Sequence, residues 1–222
     1  MAPFIKPPTI SDDYRSADLY RQAADIFHEK GFASTTMDDL AESVDLSQGG
    51  LYYYIKGKAA LLFAIMGYAL DRLETEVLQE ARRQEDPEEC LSWLLQGYLS
   101  LVLEEPGAMS LLHSEEESLD EEHRRRVASR KGLFMGFFRD LIESIFYAVG
   151  AAEMEPEEAA ETLLSRLHSR AAELANTTDT KNPGTDGEDP VDIATIDLEE
   201  ATADLVRWVL AGGLGDAGAV AG

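Results

Sequence analysis

The sequence predicts an all-α protein, and three observations carry that reading. Apolar residues recur at three- and four-residue intervals through most stretches between turn signals. Helix starts and stops punctuate those stretches, with Thr36, Ser47, Pro87 and Pro156 at beginnings and Gly31 at an end. A chain of 222 residues, 45% of them hydrophobic, is long enough for two small helical domains that share a long helix.

Residues 1–11 hold three prolines and are expected to form a flexible arm. Ser11 is a candidate N-cap for a first helix with Leu19, Ala23, Ile26 and Phe27 on one face, stopped by Gly31. The next stretch, STTMDDLAESVDLSQGGLYYYIKGK from Ser34 to Lys58, reads as two short helices joined by a tight turn. Thr36 stands three residues ahead of Asp39, the spacing at which a hydroxyl takes a free backbone N–H and a carboxylate meets the positive helix end. Met37, Leu40, Ala41 and Val44 share one face, and Ser47 caps a second helix whose Leu51 and Ile55 point inward.

That second helix leaves Gln48, Gly49, Tyr52, Tyr53 and Tyr54 mostly outward, with no carboxylate among them. Such a face suits a phosphate-lined groove. Glutamine offers a donor and an acceptor to an adenine edge, tyrosine hydroxyls donate to phosphate oxygens, and glycine lets backbone N–H groups come close. Gly49 and Gly50 each cost a helix about 1 kcal/mol relative to alanine, so the pair hints at close approach. Lys58 follows, where it can reach a phosphate beside the groove.

The remainder continues as helices. A long one is expected from about Lys58 to Arg83, with Leu62, Met66, Leu70, Leu73 and Val77 inward. Pro87 opens a helix apolar over most of its circumference, broken at Glu105-Pro106-Gly107. After a short segment holding Met109 and His113, another long helix runs from about Asp120 to Val149, where Gly132 and Gly136 permit close helix approach or leave space for a ligand. Pro156 starts a helix to about Ala175, residues 176–190 read as a mobile polar loop, and Leu198–Leu210 forms the last helix before a glycine-rich tail.

Charge cuts against nucleic acid at first sight. The chain carries 19 Lys and Arg against 43 Asp and Glu, a net of −24, whereas DNA affinity rests on cations displacing counterions. Residues 1–60 hold only 6 basic and 9 acidic residues, so −21 of the total lies beyond them. An acidic surface with six lysines is also what a salt-rich cytoplasm favours, because ionic strength screens self-repulsion. No apolar run is long enough to span a bilayer, the N-terminus lacks a secretory layout, and the single Cys90, expected to be buried, fits a reducing compartment. The expectation is a cytoplasmic protein without membrane contact.

Residues from about Asp12 to Met66 resemble the DNA-binding domain of the TetR family of transcriptional repressors. The resemblance lies in Leu19, Ala23, Ile26, Phe27, Gly31 and Phe32, then TTMDDLA, then Leu46, Ser47, Gly49, the Leu51–Tyr54 run, Lys56 and Lys58. Three positions depart from the family's pattern: Asp45 stands at the turn glycine, Ile55 at the usual phenylalanine, and Gln48 at a usual Lys or Arg. The resemblance implies an N-terminal three-helix helix-turn-helix domain, residues 12–58, and a C-terminal helical ligand-binding and dimerisation domain, 59–212, with a tail at 213–222. It further implies a homodimer paired through the last two helices, a double-stranded DNA operator, and a small hydrophobic effector that releases it. Thr35, Thr36, Tyr52, Tyr53 and Lys58 are then expected on phosphates, Gln48, Gly49 and Tyr54 on bases, with Ser47 at the helix start between them.

For the effector, the candidate lining is Trp93, Tyr98, Met109, His113, Phe134 and Phe138, a set that reads first as ordinary core and second as pocket lining. Arg124-Arg125-Arg126 beside the Glu115–Glu122 acids is either a solvated, charge-compensated face or a phosphate clamp for an acyl-CoA. No histidine pair has the spacing of a helical zinc site, and no triad, phosphate loop or paired catalytic carboxylates stand out. Neither metal, cofactor nor enzymatic activity is expected. The competing reading is a helical dimeric sensor of a small molecule or protein that does not bind DNA.

Overall fold

The computed structural model describes residues 14–150, 154–179 and 196–213, with the side chains of residues 14–16, 54 and 177–179 excepted. The arm, residues 180–190 of the expected loop, and nearly all of the tail lie outside the described residues. Among the described residues every regular element is helical: α1 Tyr14–Lys30, α2 Met37–Ser43, α3 Gln48–Tyr54, α4 Lys58–Arg72, α5 Gln79–Ala81, α6 Pro87–Glu104, α7 Pro106–Ser114, α8 Glu121–Val149, α9 Pro156–Asp179 and α10 Leu198–Leu210. α9 runs four residues past the expected Ala175, so the polar sequence after it continues the helix instead of opening a loop at once.

The chain divides into two compact units. The first comprises the chain to Arg72 together with Glu105–Lys131. In it α1 packs on α2, α4 and α7, and Phe27, Leu40, Leu51, Leu61, Leu62, Ile65 and Met66 are all but sealed from solvent. α1 and α7 meet at backbone distance because position 107 is glycine: a Cβ there would stand 2.9 Å from the carbonyl carbon of Ala24 and 2.6 Å from Asp25 Oδ1.

Two residues before that glycine lies a buried carboxylate. Glu105 Oε1 accepts from Arg21 Nη2 at 2.7 Å, Tyr68 Oη at 2.7 Å and Arg72 Nη1 at 2.8 Å, which ties α1, α4 and the start of α7 to one atom. Two guanidiniums and a phenol offset the cost of burying this charge. Burial, and then the neighbouring Glu105, push the Asp25 carboxyl above the usual range.

The second unit comprises Leu73–Glu104 and the chain from Gly132 onward. Here α6 packs on α9 and α10, and Leu91, Leu94, Leu95 and Leu99 are fully buried, as the all-round apolar pattern of that helix requires. Trp208, Val209, Leu205 and Val206 of α10 are also buried, and Cys90 is buried as expected. The uninterrupted helix expected over 58–83 is corrected. Leu73–Leu78 is a π-helical segment, in which Val77 lies so close to Gly97 of α6 that a Cβ on the glycine would be 3.3 Å from Val77 Cγ1. The hydrophobic spacing survives this wider turn, since Leu73 and Val77 are both buried. Gly132 and Gly136 have open space where a Cβ would stand, so among the described residues they serve no close helix contact.

Candidate nucleic-acid interface

The reading pair is built from its caps outward. Thr36, extended at φ −100° and ψ 165°, accepts the Asp39 N–H on its hydroxyl at 3.1 Å, and its own N–H donates to Asp39 Oδ2 at 2.8 Å. This reciprocal box satisfies two otherwise orphaned N–H groups at the start of α2. Lys30 Nζ donates to the other oxygen, Oδ1, at 2.8 Å. Its ammonium first, and the Thr36 hydroxyl and N–H next, hold the Asp39 carboxyl well below the ordinary carboxylate range.

The turn after α2 is closed by Leu46 N–H donating to Ala41 O at 2.9 Å and Asp45 N–H to Glu42 O at 3.2 Å. Asp45 sits at φ 51°, alone among the described non-glycine residues in having a positive φ. Aspartate is one of the few residues that enters this region at modest cost, which is how the turn forms without a glycine. Ser47 then caps α3, its Oγ accepting from Gly50 N–H at 3.1 Å.

Leu51 and Ile55 anchor α3, 0% and 5% exposed, and the opposite side faces solvent. Tyr52 is 50% and Tyr53 84% exposed, and Ser47, Gln48 and Gly49 are exposed beside them. The side chain of Tyr54 lies outside the described residues. A methyl group at Gly49 would meet nothing within 4 Å, so internal packing does not require the glycine there.

Thr35 and Lys58 are placed differently from the outward residues. Thr35 is 2% exposed, with its hydroxyl donating to Gly31 O at 2.8 Å, while its neighbour Thr36 is exposed at the head of α2. Lys58 Nζ donates to the carbonyls of Phe32, Ala33 and Thr35 at 2.6, 3.1 and 2.9 Å and lies 4.6 Å from the centre of the Phe32 ring. The helical period of α3 was readable from sequence, but the convergence of three loop carbonyls on one ammonium has no sequence period to announce it.

In the second unit the structure brings together Tyr98, Phe134 and Phe138 of the candidate ligand set. Tyr98 stacks on Phe134 with centroids 5.8 Å apart, and Phe134 lies 6.1 Å from Phe138. Burial pushes the Tyr98 phenol up. His168 joins them edge-on to Tyr98 at 5.7 Å, with Nδ1 2.9 Å from Leu164 O. Sequence reasoning left His168 out because a lone histidine on a helix gives no spacing signal. Trp93 is 50% exposed; Met109 and His113 belong to α7 in the first unit, Met109 buried and His113 exposed. A cleft of about 320 Å³ in the second unit is lined by other residues, among them Cys90, Arg82, Phe137 and Leu141.

The arginine run is internally engaged. Arg124 pairs with Glu117 at 2.8 Å, Arg125 with Glu121, and Arg126 lies over the Phe63 ring. Among the described residues no group of three or more His, Cys, Asp or Glu is placed to hold a metal, and no helix is long and apolar enough to cross a membrane.

The sequence pattern of the family described as "Bacterial regulatory proteins, tetR family" matches residues 19–65, the stretch from α1 into α4. YfiR of Bacillus subtilis strain 168, an HTH-type transcriptional regulator, is 26% identical over 153 residues, which cover 68% of this chain and 73% of YfiR. YuxN of the same strain, also an HTH-type regulator, is 27% identical over 93 residues, 42% of this chain; the match spans about a third (32%) of YuxN. The crystal structure of AibR in complex with isovaleryl coenzyme A and operator DNA superposes with a TM-score of 0.65 at 24% identity, covering 86% of this chain and 96% of AibR, a likeness of fold.

Proposed function

We propose that this chain, whose residues 19–65 match the pattern of the TetR family of bacterial regulatory proteins, is a homodimeric repressor of that family, released from its operator by a small hydrophobic ligand. The observation that carries the reading is the outward face of α3, where Gln48, Gly49, Tyr52 and Tyr53 stand exposed without a carboxylate among them. Two copies of α3, one per protomer, enter successive major grooves about 34–36 Å apart. Residues 12–58 form the reading head. Gln48 and Gly49 face bases, and Thr36, Tyr52 and Tyr53 hold phosphates, with Ser47 fixing the helix start. Thr35 and Lys58 act from behind that face by setting the corner between α1 and α2.

The last two helices, α9 and α10, pair with their copies to make the dimer. The effector site is centred on Tyr98, Phe134 and Phe138 of the second unit, with Trp93 as a further member of the set. A ligand releases DNA only by binding the non-operator conformer more tightly. An acyl-CoA is the ligand class we favour, supported by the isovaleryl coenzyme A in the AibR structure. Because Arg124 and Arg125 already have carboxylate partners, the acyl chain rather than the phosphates supplies most of the recognition.

The net charge of −24 favours the alternative of a helical sensor without DNA. A mobility-shift titration with the DNA upstream of the chain's own coding sequence, repeated with isovaleryl coenzyme A, separates the two. A shifted band that the thioester abolishes supports repression, and no shift at any salt supports the sensor.

A further inference from the structure

The first unit is short of usable cations. Its described basic side chains are almost all committed to internal partners: Arg21 and Arg72 to Glu105, Lys30 to Asp39, Arg130 to Asp71, Lys131 to Glu116, and the 124–126 run as given above. Lys58 is the most committed. An ammonium has three N–H donors, and the carbonyls of Phe32, Ala33 and Thr35 take all three at the negative end of α1. Lys56 is the exception among the described residues of this unit: it is exposed, two residues past the tyrosines of α3, in the turn where Gly57 takes φ 143°.

We propose that Lys56 is the phosphate-binding cation of each reading head, that Lys58 is an internal strut, and that DNA binding by this protein therefore weakens only shallowly with salt. This deepens the DNA-binding reading above and rests on it. Neutral donors such as tyrosine hydroxyls, glutamine and backbone N–H groups position a protein on DNA without adding a cation to displace counterions. Only cations laid on phosphates set the salt slope, at about −0.9 for each phosphate neutralised. Among the described residues, two copies of Lys56 give a slope of log affinity against log salt of about −2, far flatter than that of a reader making 6–10 cationic contacts. An acidic chain built this way keeps its grip on DNA at ionic strengths that strip off a more basic one.

The test uses the full chain and a duplex enriched from a random-sequence library by the wild-type protein, with affinity measured from about 50 mM to 1 M potassium chloride. The expected wild-type slope is about −2. Lys56→Gln, an exposed change that leaves the fold intact, is expected to flatten it to near zero. Lys58→Gln is expected to lower affinity at every salt with the slope unchanged, its folding checked by far-ultraviolet circular dichroism. A wild-type slope steeper than about −4, or a Lys56→Gln slope equal to wild type, overturns the proposal whatever Lys58→Gln does. Failure of the wild-type protein to enrich or bind any duplex would instead remove the DNA-binding reading itself.

Discussion

Arg72 Nη1 reaches Glu105 Oε1 at 2.8 Å in the interior of the first unit, where the glutamate side chain is completely shielded from solvent. The same oxygen serves Arg21 and Tyr68, while Glu105 Oε2 is buried with no hydrogen-bond partner, so the carboxylate is held by one edge. Removing it takes from Arg21 and Arg72 the buried acceptor they share and leaves a cavity in its place. Glu105→Ala is expected to lower stability by about 3–5 kcal/mol, the range for breaking a buried ion pair from one side. Glu105→Gln, which keeps an acceptor oxygen, is expected to lose less. Denaturant unfolding measures both, and equal loss in the two would show that a neutral acceptor contributes nothing to the hub, against the expected ranking.

Tyr68 predicts an alkaline limb. Burial, and then its hydrogen bond to Glu105, push the phenol from 10.0 up to about 12. The unfolded chain releases this proton near 10 and the folded chain near 12, so the stability it gives is complete below pH 10 and disappears as pH rises through 12. Unfolding free energies between pH 9 and 12 should fall less steeply in Tyr68→Phe than in wild type. Identical slopes would contradict the burial and bonding described.

Gly49 should trade stability against binding. Its place on an exposed helix face costs about 1 kcal/mol relative to alanine, and a methyl group there meets nothing within 4 Å. Gly49→Ala is therefore expected to raise thermal stability and to weaken DNA binding, because the methyl intrudes where backbone meets the groove. A variant that gains stability and binds as well as wild type would take position 49 out of the interface.

Asp45, at φ 51°, makes a backbone prediction. A β-branched side chain tolerates this region poorly, so Asp45→Val should cost about 1–2 kcal/mol. Asp45→Gly should stay within about 1 kcal/mol of wild type, since freedom from strain offsets the greater entropy of its unfolded chain. Thermal unfolding that ranks valine with glycine would show that the turn adopts another conformation.

Much of this was legible in the sequence because it has a period or a cap. Thr36 with Asp39, Ser47, and the burial of Leu51 and Ile55 against exposure of Tyr52 and Tyr53 follow from spacing along a helix, and α10 occupies the residues expected of it. The π-helical segment at Leu73–Leu78 was not legible, since its hydrophobic spacing also suits an α-helix. The inward roles of Thr35 and Lys58 were hidden for another reason: each is set by carbonyls of the loop after α1, whose direction no residue type encodes. Glu105 read as part of a helix break, and only the packing of α1, α4 and α7 turns it into a hub.

The central claim is that the exposed face of α3 meets base pairs, and binding-site selection from a random duplex library tests it most directly. The wild-type protein should enrich an inverted repeat whose half-sites lie one helical turn, about 10 bp, apart. Gln48→Ala should lose preference at one symmetric position, by roughly tenfold in affinity or more. Enrichment of no sequence at all, or an identical preference in wild type and Gln48→Ala, would contradict it.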